Sequence, residues 1–202
     1  IFTKAPPMAA VGTGEDAGVN PVSSGSNPEP EVVLVIAASG KIVGATLGND
    51  VNLRDVEGRS ALLLSKAKDN NASAAVGPFI RFLDAGFTLE AVRRITVSLR
   101  VEGQDGFVLE GSSSMTKIAR DVTELAAQLI NPSHQYPDGA VLYCGTMFAP
   151  VKDRDTPGGG FTHKTGDIVT ISAPELGALV NRMRPTGDCK PWTFGASHLM
   201  RN

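Results

Sequence analysis

Cysteine, histidine and tryptophan are scarce, with two, three and one respectively in 202 residues. The two cysteines, Cys144 and Cys189, have no metal-like spacing. That excludes a disulfide framework and a thiolate zinc site, and it fits a reduced, cytoplasmic setting. No apolar run reaches the roughly 18–20 residues that span a bilayer, so no membrane partner is expected. The opening IFTKAPPMAAVGTGED lacks a basic start followed by an apolar core, so it does not read as a signal peptide. It starts with Ile, in what reads as the middle of an extended segment, and the expectation is a fragment or a chain that has lost an N-terminal part. Neither charge dominates: 19 basic and 21 acidic residues are interspersed, and without a basic block no nucleic-acid partner is expected. His134 and His163 have no Ser or Cys placed to form a triad, and Gly158-Gly159-Gly160 lacks the Lys-Ser/Thr of a phosphate loop.

What is present is glycine (22) and proline (13) in quantity, which points to many turns and short strands. Residues 5–28 carry no periodicity and read as a long surface loop. EVVLVIA (31–37) is a β-branched run suited to a buried strand, Ser39-Gly40 a tight turn, and KIVGATLG (41–48) the returning strand. A short helix is expected near 55–65, and another over FTLEAVRRI (87–95) with Thr88 as its cap. ITVSLRVEG (95–103) and FVLEG (107–111) form a hairpin around Gln104-Asp105-Gly106. Asp121-x-x-Glu124 reads as a capping box opening a helix with Val122, Leu125, Ala126, Leu129 and Ile130 at helical spacing. AVLYCGT (140–146) reads as a buried strand, and DIVTISAP (167–174) with GALVNRM (177–183) as a strand pair. The expected fold class is α+β, strand-dominated, with rolled antiparallel sheets and few helices.

The sharpest chemical feature is Glu29-Pro30-Glu31, with Asp50 at the far end of the hairpin. Residues two apart on a strand share a face, so Glu29 and Glu31 present adjacent carboxylates. Pro30 is tolerated because it opens the strand. The hairpin returns Asp50 to the same end. Three converging carboxylates resist ionisation unless a cation sits among them. All-oxygen ligands favour Mg²⁺ before Mn²⁺ or Ca²⁺. Solvated strand-end glutamates and a turn aspartate are the bland alternative. Lys68 and Lys66, after the apolar Leu62-Leu63-Leu64, are equal candidates for a lysine beside the ion. Arg54, a candidate substrate-binding residue, either braces a carboxylate or is an exposed loop residue. Thr146, beside Gly145, suits a substrate carboxylate or is simply part of a turn.

Taken together these segments resemble the fumarylacetoacetate hydrolase superfamily over nearly the whole chain. The resemblance is carried by FTKAP (2–6), NPEPEVVLV (27–35), GNDVNLRD (48–55), KAKDNNASAAVGPF (66–79), CGTMFAP (144–150) and KTGDIVTISAPELGALVNRM (164–183). Leu53 and Asn52 stand where the family usually has Ala and Ser, and Cys144 replaces a Thr. The resemblance implies the family's C-terminal fold over residues 1–202, with Glu29, Glu31 and Asp50 as metal ligands. It also implies Lys68, rather than Lys66, as the active-site lysine, Thr146 as a substrate-binding residue, a small 2-oxo acid substrate and a homodimer. HQYPDG (134–139), DRDTPGGGFTHK (153–164) and PWTFG (191–195) are similar to the longer bacterial sugar-acid members, 2-keto-3-deoxy-pentonate dehydratases among them. That implies Mg²⁺-dependent dehydration to 2,5-dioxopentanoate. The alternatives are an acylpyruvate C–C hydrolase and an inactive fragment that binds only metal or ligand. The family's hydrolases carry a His–Glu lid pair before the metal strand, and none precedes Glu29 here. The N-terminal domain of longer relatives is expected to be absent.

Overall fold

The computed structural model describes residues 1–201 as two packed sheets with short helices at their margins. In chain order the elements are β1 (Asp16–Val19), β2 (Ser26–Asn27), β3 (Pro30–Ile36), β4 (Ile42–Asp50), β5 (Asn52–Leu53), α1 (Arg54–Glu57), α2 (Leu64–Lys68), β6 (Ala74–Phe82), α3 (Leu89–Val92), β7 (Thr96–Glu102), β8 (Val108–Ser114), α4 (Val122–Leu129), β9 (Ala140–Tyr143), β10 (Ile168–Ala173), β11 (Gly177–Pro185) and α5 (Ala196–Leu199). One sheet runs β6-β4-β3-β9, the other β1-β11-β10-β7-β8, and β2-β5 forms a two-stranded annex. The fold is strand-dominated α+β, as the sequence leads one to expect.

The hydrophobic pattern explains the layering. In β7, Val97, Leu99 and Val101 point inward while alternate residues face solvent. β3 is buried on both faces, so it reads as an uninterrupted apolar run. Leu34, Ile36 and Leu47 of the first sheet join Val97, Leu99, Ile171 and Leu179 of the second in one core. Gly40 takes a positive φ of 82° at the β3–β4 turn, and Thr88 caps α3 by accepting the Ala91 N–H, both as expected.

Several expectations are corrected. Residues 5–28 are not a featureless loop: β1 pairs in parallel with β11, and β2 pairs with β5. β1 is too short to show a period. Its Gly18 lies so close to Asn71 O that an added Cβ would meet that oxygen at 2.2 Å. β6 was not anticipated as a strand, because Gly77-Pro78 interrupts it; it is an edge strand, where proline is tolerated. The 55–65 helix is two short helices, α1 and α2, joined by a 3₁₀ turn. AVLYCGT shortens to β9, a half-exposed edge strand. The capping box is only half made. Asp121 accepts from Thr123 N at 2.9 Å, but Glu124 takes the Arg120 guanidinium at 3.2 Å instead of reaching back.

Candidate metal centre

The β3–β4 hairpin builds the site. Its register sets Glu31 opposite Gly48 and Pro30 opposite Asn49, and Asp50 N–H donates to Glu29 O at 3.1 Å. Asn49, buried, accepts the Glu29 N–H on its Oδ1 at 3.1 Å, which holds the backbone just before β3. Carboxylate oxygens of Glu29, Glu31 and Asp50 then all lie within 4.8 Å of one another. Gly48 leaves the space beside Glu31 to Tyr143, whose Cε1 would lie 2.4 Å from an added Cβ. From the other side, β9 runs on to Gly145, whose N–H donates to Glu31 Oε2 at 2.5 Å.

Lys68 enters from the last residue of α2, and its position is fixed by Ser73, whose hydroxyl donates to the Lys68 carbonyl. Its ammonium lies 2.5 Å from Glu29 Oε2 and 2.9 Å from Asp50 Oδ2, with the side chain only 2% exposed. Lys66 makes no such contact. A second ammonium, that of Lys4, contacts Asp50 Oδ2 and lies 4.0 Å from Glu31 Oε1. Two lysines therefore offset two of three carboxylates, so the residual charge is one negative if all are ionised.

Burial shifts these groups. It raises the Glu31 carboxyl to about 8, against the pull of Lys4 and with the push of Asp50 and Glu29. It also raises Glu29 to about 7, with Lys68 opposing and Asp50 reinforcing. Burial by itself would lower Lys68, but Asp50 and Glu29 prevail and its pKa is raised, so it remains an ammonium. Even with both lysines in place, Glu31 Oε1 and Asp50 Oδ1 are buried without a hydrogen-bond partner. Such acceptors are costly to leave unmet. All-oxygen donors, two of them buried without a partner in a cluster that is one positive charge short, fit a hard divalent cation such as Mg²⁺.

Thr146 follows Gly145 directly, at the end of the segment that touches Glu31. Its Oγ1 accepts the Phe148 N–H at 3.2 Å. Arg54 does not brace a carboxylate of the cluster. Its side chain donates to Phe161 O at 3.1 Å, and among the described residues it forms no ion pair. That bond ties the 150–163 loop to the start of α1, while Thr162 Oγ1 accepts the Ser26 N–H at 3.2 Å just before the metal strand. Sequence reasoning missed Lys4, Asn49 and the Gly145 N–H as parts of the site. A lone lysine in an irregular segment carries no spacing signal, and a backbone donor carries none at all.

The chain matches the family model described as Fumarylacetoacetate (FAA) hydrolase C-terminal over residues 2–184. It is 32% identical over 184 residues to 2-dehydro-3-deoxy-D-arabinonate dehydratase of Saccharolobus solfataricus, covering 91% of this chain and 58% of that protein. It is 29% identical over 181 residues to the probable 2-keto-3-deoxyxylonate dehydratase of Haloferax volcanii, covering 90% and 58%. A solved structure of 2-keto-3-deoxy-D-arabinonate dehydratase complexed with magnesium and 2,5-dioxopentanoate superposes with a TM-score of 0.77 at 32% identity, covering 91% of this chain and 62% of that one. The chain thus spans about three fifths of the length of these relatives. By fold, and by a family match that takes in all three acidic residues and both lysines of the cluster, the protein belongs to the fumarylacetoacetate (FAA) hydrolase C-terminal family.

Proposed function

We propose that residues 1–202 form the catalytic domain of a Mg²⁺-dependent hydro-lyase that dehydrates a 2-keto-3-deoxy pentonate to 2,5-dioxopentanoate. The observation that carries this reading is the cluster of Glu29, Glu31 and Asp50 oxygens with two buried acceptors unmet. The likeness to two dehydratases supports the choice of reaction. Glu29, Glu31 and Asp50 would hold the ion, with Mn²⁺ or Ca²⁺ as substitutes. Bound there, a divalent cation supplies Lewis acidity toward the oxygens of a 2-oxo acid, which makes the C3 proton easier to remove.

The chain's own groups do the rest. Lys68 is held protonated between Glu29 and Asp50, so it acts as a fixed cation and hydrogen-bond donor rather than as a resting base. It is placed to stabilise negative charge developing on substrate oxygen. Thr146 presents a hydroxyl beside the Gly145 turn for the substrate carboxylate. We assign Arg54 to anchoring the 150–163 loop at the start of α1. The substrate loses its C3 proton and its C4 hydroxyl as water, and tautomerisation places the second carbonyl at C5.

The protein is proposed to act as a cytoplasmic homodimer. Both cysteines are free, and β6 exposes Phe79, Ile80 and Phe82 along an open sheet edge, an apolar patch of the kind that marks an interface. Among the described residues no helix is long and apolar enough to cross a membrane. The test is turnover. With Mg²⁺, a 2-keto-3-deoxy pentonate should yield 2,5-dioxopentanoate, and Glu31→Ala should reduce the rate at least 100-fold. Release of pyruvate from an acylpyruvate, with the sugar acid untouched, would point to a C–C hydrolase instead. Binding of Mg²⁺ without turnover of either substrate would identify a ligand-binding subunit.

A further inference from the structure

Two ammonium groups sit on the carboxylate cluster, and the fold holds them very differently. Lys68 is the last residue of α2, with its side chain 2% exposed. Lys4 belongs to residues 1–6, which form no helix or strand. Among the described residues, 1–5 make no backbone hydrogen bond; the first is Pro6 O accepting from Ala9 N at 3.0 Å. What fastens this segment is the Lys4 side chain itself. Its ammonium contacts Asp50, lies 4.0 Å from Glu31 Oε1, and rests 5.0 Å from the Phe2 ring centroid and 5.6 Å from that of Tyr143. The fastening is incomplete, because Asp50 Oδ1 and Glu31 Oε1 still lack partners. Two monovalent cations thus sit on a donor set that has room for more charge.

We infer that Lys4 is a displaceable counter-cation: it neutralises Asp50 and Glu31 while no divalent ion is present, and it withdraws with residues 1–6 when an ion binds the same two carboxylates. The inference rests on the proposed metal role of Glu29, Glu31 and Asp50. Its physical basis is crowding: the buried Asp50 carboxylate already takes two ammoniums, and a divalent ion on it would be a third cation where little solvent screens their repulsion. Lys68 has no exit, since its stem is enclosed. Lys4 has one, since its side chain is 17% exposed and its backbone is untied. The displacement has a consequence for shape. Phe2, Lys4, Pro6 and Pro7 form one wall of a largely apolar cavity of about 370 Å³, with Leu125 and Tyr136 among the residues opposite. Withdrawal of the segment opens that cavity on the flank of the site. By reciprocity, whatever holds residues 1–6 down weakens ion binding by the same factor.

Trypsin reads the state of Lys4 directly, because the side chain must leave the cluster to enter the protease. Cleavage of the Lys4–Ala5 bond is followed by mass spectrometry in EDTA and in rising Mg²⁺, beside calorimetric titration of Mg²⁺ and Mn²⁺ into the same protein. The expected result is slow cleavage in EDTA and at least tenfold faster cleavage at saturation. The midpoint should match the calorimetric one, with rates at other lysines and arginines unchanged. Lys4→Gln, which removes the competing cation, should bind Mg²⁺ several-fold more tightly. Ion binding with unchanged or slower cleavage after Lys4, rapid cleavage already in EDTA, or weaker binding by Lys4→Gln would each overturn the displacement while leaving the metal reading intact. No heat of binding with either ion would overturn both.

Discussion

Glu31 shows how much one residue's surroundings decide. It is 1% exposed, accepts a hydrogen bond from Gly145 N, and still keeps one oxygen unpartnered. Burial holds its carboxyl up to about 8 and that of Glu29 up to about 7, against an ordinary 4.5. For both groups the folded pKa exceeds the unfolded one, so the native state carries the extra protons. Their contribution to stability is complete below about pH 4.5 and fades as pH rises through 7 to 8. Metal-free protein should therefore show a falling melting temperature between pH 5 and 8 in EDTA. Saturating Mg²⁺, whose ligands must be deprotonated, should flatten that slope. Calorimetry in buffers of different ionisation heat should show proton release on ion binding that is largest below pH 7 and declines as pH rises through 7 to 8. Equal slopes with and without Mg²⁺ would contradict this account of the carboxylates.

The elements are joined by two devices whose removal has calculable cost. Gly48 of β4 lies across from Glu31, and an added methyl would meet Tyr143 Cε1 at 2.4 Å and Val33 Cγ2 at 2.5 Å. Gly48→Ala should destabilise by about 1–3 kcal/mol through overpacking, with each kcal/mol lowering the melting temperature about 2–4 °C. Because the displaced Tyr143 ring also faces Lys4, ion affinity should change too. The second device ties the 150–163 loop to β10 and the β7–β8 turn. Arg154 is buried, donates to Asp167 at 2.7 and 2.8 Å, and reaches Asp105 at 3.0 Å. Burial would raise Asp167, but the hydrogen bonds from Arg154 and His163 prevail and bring it to about 2. Arg154→Met strands that carboxylate and should cost about 3–5 kcal/mol, measured by urea unfolding. Asp167's share of stability is full above its ordinary 3.8 and is lost as pH falls toward 2. The wild-type loop should therefore stay protected from proteolysis at pH 5, whereas in the variant it should be cut.

At the scale of the whole molecule, the exposed Phe79, Ile80 and Phe82 of β6 leave one sheet edge open. Light scattering should find a dimer, and Phe82→Asp should shift it toward monomer if this edge is the contact; an unshifted dimer would place the contact elsewhere. The main hairpin, β7 with β8, β10 with β11, and the capped α3 were all legible in the sequence, because each pairs a hydrophobic period with its own turn or cap. β1, β2 and β6 were not, since the first two are too short to show a period and the third is broken by Gly77-Pro78. The triad Glu29, Glu31 and Asp50 was legible for a local reason: alternation along a strand and a single tight turn suffice to bring the three carboxylates together. Sequence by itself determined the hairpin, the acidic residues at its open end and the family to which these belong. The resemblance also named Lys68, but only the tertiary structure brought Lys4 and the Gly145 N–H to the same carboxylates. Lys68, Lys4 and the Gly145 N–H arrive from three distant stretches of chain, and their convergence is set by how sheet, helix and opening segment pack, which no local pattern encodes.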